Sequence, residues 1–222
     1  STMRPLKILT WHTHGSSLYY LTQAPHHFYV LSKPGRPPGY GGRCGSITWG
    51  DNVHDMPVER VRQYEFDCMV FQDDVQYEKD QYELLSAAQR ALPKIYLEHD
   101  PPREHPTDMA HPIDDPNVLL VHVTDFNALM WNSGRTPTRV IEHGVLVPPD
   151  VAYRGDLERG LVVINHLAGA GAGWALFTQR PLDRFGDVAF LDAGLRRVGV
   201  ALGALGGRDG RSEHRSQYGR RA

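Results

Sequence analysis

A chain of 222 residues with 41% hydrophobic and 23% charged residues can bury one generous core and part of another. A formal net charge of −2 sets up no field to attract a phosphate backbone, and no apolar run reaches the roughly 20 residues that span a bilayer. Cys44 and Cys68 form neither a metal spacing nor a disulfide framework, so the expectation is a soluble cytoplasmic protein with no nucleic-acid partner and no membrane span.

From the amino terminus, Ser1-Thr2 ahead of Met3 reads as an added remnant with no export signal behind it. Apolar, β-rich runs at 6–11, 28–31, 67–72, 94–98, 118–124 and 139–143 are expected strands, and their near-continuous apolar character suits a parallel sheet covered on both faces. Helices are expected at 17–23, 58–64, 77–91 and 125–131; in the third, Tyr82, Leu85 and Gln89 recur at helical spacing. Two stretches cannot be regular. Residues 33–43 alternate Pro and Gly, and 99–115 carry Pro101, Pro102, Pro106 and Pro112, with Pro116 just beyond. Such long loops are either functional or mobile. Residues 161–165 read as one more buried strand, after which the chain turns Gly-, Ala- and Arg-rich and ends in a polar tail, 208–222, expected to be disordered. The fold class that follows is α/β, a Rossmann-like parallel sheet with an incomplete second domain.

In open α/β sheets ligands bind outside the carboxyl ends of the strands. The first strand runs into His12-Thr13-His14-Gly15-Ser16-Ser17, where Gly15 would allow close backbone approach and Ser16 would cap the following helix, its N–H groups facing an anion. A tight turn needing a glycine and a cap explains the same residues. Lys94–Glu98 runs into His99-Asp100 and on to Arg103, placing a histidine where it can hydrogen-bond a sugar hydroxyl or shuttle a proton, or be merely solvated beside a capping Asp100. Twelve histidines leave a hydrolytic zinc or manganese site open on His12, His14 and His99, with Asp100 and His143 in reserve. Asp73-Asp74 could be a ligand pair or helix-capping acids.

Three segments carry a specific likeness: residues 8–16 (ILTWHTHGS), 95–102 (IYLEHDPP) and 138–145 (TRVIEHGV). Together they resemble bacterial retaining glycosyltransferases of family four (group 1), over about the first three quarters of the chain. The resemblance implies a GT-B protein whose first half, 3–154, is a Rossmann-like acceptor-side domain, and whose second half binds a nucleotide-sugar donor. It implies a nucleotide-sugar and a sugar or glycan acceptor as substrates, and neither a cofactor nor a metal. His99 matches the strand-end histidine that contacts the transferred sugar, and Gly15 the glycine turn beneath the donor phosphates. His143-Gly144 match the segment where the chain turns toward the donor half. His14, Ser16, Asp100 and Arg103 complete the expected substrate-binding set. Residues 155–207 resemble only the start of a donor domain, and no glutamate lies between Glu158 and Glu213, where the family carries a donor-binding pair. A truncated or frameshifted product, able to bind ligand without turnover, is the reading this implies.

Overall fold

The computed structural model describes residues 4–45, 47–103, 109–152, 154–156, 159–164, 187–192 and 197–201. The chain divides into two compact units, Ser1–Pro148 and Pro149–Ala222.

In chain order the first unit contains β1 (Lys7–Thr10), α1 (Gly15–Leu21), β2 (His27–Ser32), β3 (Val53–Pro57) and β4 (Cys68–Phe71). A π-helical turn, Gln76–Asp80, leads into α2 (Gln81–Leu84) and α3 (Ala87–Arg90). Then come β5 (Lys94–Glu98), β6 (Met109–Ala110), β7 (Val118–His122), α4 (Asp125–Met130), β8 (Trp131–Asn132) and β9 (Thr138–Val140). Seven of these strands form one sheet in the order β3-β2-β1-β4-β5-β7-β9, every pair parallel. This is the expected Rossmann-like α/β arrangement. The chain runs outward from β1 to β3, then crosses back to β4 on the other side of β1, so the topological switch point lies between β1 and β4.

Successive strand residues face opposite sides, and both sides are apolar, which is why the strands read as continuous runs. Leu9, Leu31, Met69, Phe71, Tyr96 and Leu120 pack on one face, where the Trp11 and Phe71 rings stack at 5.2 Å. Ile8, Phe28, Val30, Val53 and Val70 pack on the other, under Leu18 of α1. Burying a large apolar side chain of this kind contributes roughly 1.5–3 kcal/mol.

Several elements differ from expectation. β3 was not among the expected strands, because its sequence Val-His-Asp-Met-Pro mixes signals: at the sheet edge only Val53 and Met56 are buried. The expected helix 58–64 reduces to a single 3-10 turn, Val61–Gln63. The expected helix 77–91 breaks at Leu85, which is extended at φ −102°, ψ 151°. Ser86 then restarts α3 through a capping box with Gln89, whose buried amide also donates to the carbonyls of Val61 and Tyr64. Tyr82 accordingly points into solvent instead of sharing a stripe with Leu85 and Gln89. The first helix starts at Gly15, two residues earlier than expected, so Ser16 sits in its first turn and the N-cap position falls to His14, with no side-chain cap.

The glycine- and proline-rich stretch 33–43 is irregular as expected, yet firmly docked. Gly39 and Gly41 bridge to His12 and Ser32, the buried Tyr40 hydroxyl donates to Asp80 at 2.6 Å, and Lys33 Nζ lies 3.7 Å over the Tyr40 ring.

In the second unit β10 (Arg159–Ile164) pairs parallel with β11 (Asp187–Asp192), which pairs antiparallel with β12 (Arg197–Ala201). β10 coincides with the expected strand at 161–165; β11 and β12 were not expected. The tail 208–222 and most of the Gly-rich run after Leu167 lie outside the described residues.

Candidate functional site

Three histidines far apart in sequence meet beyond the carboxyl edge of the sheet. The His99 ring, after β5, lies 4.8 Å from the His14 ring, after β1, and stacks at 5.4 Å and 16° on the His143 ring, just after β9. Parallel strands and short exits bring them together, since each residue follows its strand within four positions.

His99 is held from several sides. Its Nε2 lies 3.0 Å from Oε1 of Gln72, at the end of β4; the amide oxygen only accepts, so Nε2 carries the proton and Nδ1 keeps its lone pair. Gln72 is buried, its backbone N–H donates to Gln76 Oε1 at 2.9 Å, and Gln76 donates to Thr13 Oγ1 at 2.6 Å. This links the ends of β1, β4 and β5 in one polar chain. Among the described residues, Gln72 Nε2 has no partner. Burial, together with the neighbouring His14 and His143 rings, lowers the His99 pKa to about 4, so the ring is neutral near pH 7.

The turn behind His99 is braced equally closely. Asn127 of α4 donates to the His99 carbonyl at 3.2 Å, and Trp131 Nε1 to the Asp100 carbonyl at 2.8 Å. Glu98 accepts the Asp100 N–H on one oxygen at 2.8 Å and His111 Nε2–H on the other at 2.9 Å. The His111 tautomer follows from its Nδ1, which accepts from the Ile113 N–H at 3.0 Å.

The other expected site residues fall in different places. Asp100 pairs with Arg103 at 2.6 Å, and both are exposed at the rim. Ser16 is exposed, and Gly144, next to His143, has open space where a side chain would be. Gly15 has an ordinary φ; the left-handed residue of the turn is His14, at φ 50°. That corrects the expectation that Gly15 supplies the backbone freedom. A Cβ on Gly15 would lie 3.3 Å from His12 Nε2 and 3.4 Å from Ile47.

His12 belongs to the glycine-rich loop. Its Nδ1–H donates to the Gly42 carbonyl at 2.6 Å, and its ring meets Trp49 edge-on at 5.8 Å. Among the described residues no group of three or more His, Cys, Asp or Glu side chains is placed to hold a metal ion. Asp73 and Asp74 both accept the Val75 N–H, at 2.9 and 2.8 Å, which is the capping role. Gln72 and Gln76 were missed from sequence, where the available signal was a polar side chain closing a buried apolar run.

No protein-family model matches the chain, and no curated protein and no solved structure matches it. Among the described residues no helix is long and apolar enough to cross a membrane.

Proposed function

We propose that residues 4–148 form the acceptor-side half of a sugar-transfer site, in which a sugar moves from a nucleotide-sugar donor to an acceptor hydroxyl with retention of configuration. The observation that carries this reading is the convergence of His14, His99 and His143 at the carboxyl ends of parallel strands, beside the switch point of the sheet. A neutral His99 whose Nε2–H is taken by Gln72 presents Nδ1 as an acceptor, so its role is to receive a hydrogen bond from a sugar hydroxyl and orient it. The Gln72–Gln76–Thr13 chain and the braced turn fix the ring before ligand arrives, which limits the ordering cost of binding. The exposed Asp100 and Arg103 pair supplies polar groups at the rim, and the donor half of the reaction falls to the second unit or to a partner chain.

The test is titration with UDP-glucose, GDP-mannose and ADP-glucose, followed by NMR of the histidine ring protons and by calorimetry. One of the three should perturb the rings of His14, His99 and His143 together, and His99→Ala should weaken that binding about ten-fold or more, the worth of one well-oriented hydrogen bond. Binding without turnover would assign this chain the role of a ligand-binding fragment. Failure of methyl β-D-glucopyranoside and all three donors alike to perturb the three rings, or His99→Ala binding as tightly as the parent, refutes the sugar-transfer reading.

A further inference from the structure

A second concavity adjoins the histidine cluster and has opposite chemistry. It is a cleft of about 320 Å³ with Tyr20 and Leu21 of α1 on one wall, Leu97 and Val123 from the ends of β5 and β7, and Ile141 and Leu146 on the other wall. His143 belongs to both places: it lines this cleft and stacks on His99. The far wall leaves apolar side chains in solvent, with Ile141 59%, Val145 64% and Leu146 56% exposed.

From this we infer that the cleft binds the alkyl or acyl tail of an amphiphilic ligand whose polar head lies against His143. Several features favour that occupant. The volume lies at the lower end of the roughly 300–1,000 Å³ of small-molecule sites, which suits a chain or a small apolar moiety. The lining is mostly apolar; its titratable groups are Tyr20 on the α1 wall and Glu142 beside His143 at the polar end, so the rest of the cleft suits an uncharged tail. The polar end coincides with the histidine cluster, so one ligand can satisfy both regions at once. The tail's binding stands on the cleft alone; the nature of the head rests on the sugar-transfer reading, and together they make the acceptor class a hydroxyl-bearing amphiphile, such as a glycolipid or a hydrophobic glycoside.

The experiment uses the full chain and methyl, hexyl and octyl β-D-glucopyranosides, with 1-hexanol and 1-octanol as headless probes, all below micelle-forming concentrations. Binding is read from histidine ring and methyl chemical shifts. Affinity should rise about four-fold per added methylene, the factor expected for burying a CH₂ group. Ile141→Asn and Leu146→Asn, both on exposed positions and checked by melting temperature, should abolish that chain-length dependence. Affinity independent of chain length, or dependence that survives both substitutions, overturns the tail site. If methyl glucoside still shifts His99 under those results, the cleft proposal fails alone; if the alkanols bind and the sugar head adds nothing, the sugar reading fails alone. Self-association that masks the cleft, with no alkyl effect, overturns the proposal in favour of an interface between copies.

Discussion

Acidification should destabilise this protein through His99 in a defined pH window. An unfolded histidine titrates near 6.5, whereas burial and the adjacent His14 and His143 rings bring His99 down to about 4 in the folded chain. Between those values the unfolded chain holds a proton at this residue that the folded chain lacks. Stability is therefore full above about pH 6.5, falls as pH drops through the window, and levels off below about 4. Linkage alone would give about 3 kcal/mol for such a displacement, and because the ring is only part buried, solvent screening reduces it to about 1–2 kcal/mol. The assay is urea unfolding at half-unit pH steps on the parent and on His99→Gln, which cannot titrate. The parent curve should drop more steeply than the variant's by that amount, and the His99 ring proton should titrate well below 6 by NMR. Parallel stability curves, or a ring titrating near 6.5, would refute the reasoning.

Two further outcomes follow from backbone and cap geometry. His14→Gly should raise stability by about 1 kcal/mol in thermal or chemical unfolding, since a non-glycine residue at φ 50° is strained, while the His99 pKa moves upward as one of its repelling rings is lost. Ser86→Ala should cost about 1 kcal/mol and expose the amides at the start of α3 to hydrogen exchange, because the capping box is what restarts the helix after Leu85.

The central strands were legible because burial on both faces writes them as apolar runs: β1, β2, β4 and β7 carry that mark, and β5 a shorter Ile-Tyr-Leu run of which only Tyr96 is fully buried. β3 carries none, since an edge strand tolerates His54 and Asp55, and its two buried residues are too few to form a run. The misread helix at 77–91 has a local cause. Tyr82, Leu85 and Gln89 satisfy a helical period, but Ser86 competes for the backbone by capping, and the chain breaks where the cap forms. The histidine cluster could be anticipated because strand ends of a parallel sheet share one edge. The glutamines that orient it could not, since Gln72 and Gln76 matter through contacts four and 63 residues away. Nor could the strain at His14 be placed, because Gly15 beside it is the residue that sequence reasoning credits with backbone freedom.

The central position of β1 shapes how the nascent chain acquires its structure. β2 can dock on β1, and β3 on β2, once about the first quarter of the chain has been made, but the other edge of β1 waits for β4, with Thr10 bonded to Val70 across 60 residues. Until then the apolar side chains of Leu9 and Trp11 and one row of backbone donors and acceptors stay uncovered. Closing so long a loop is entropically costly and slow, so the partially made sheet is a species for chaperones to shelter.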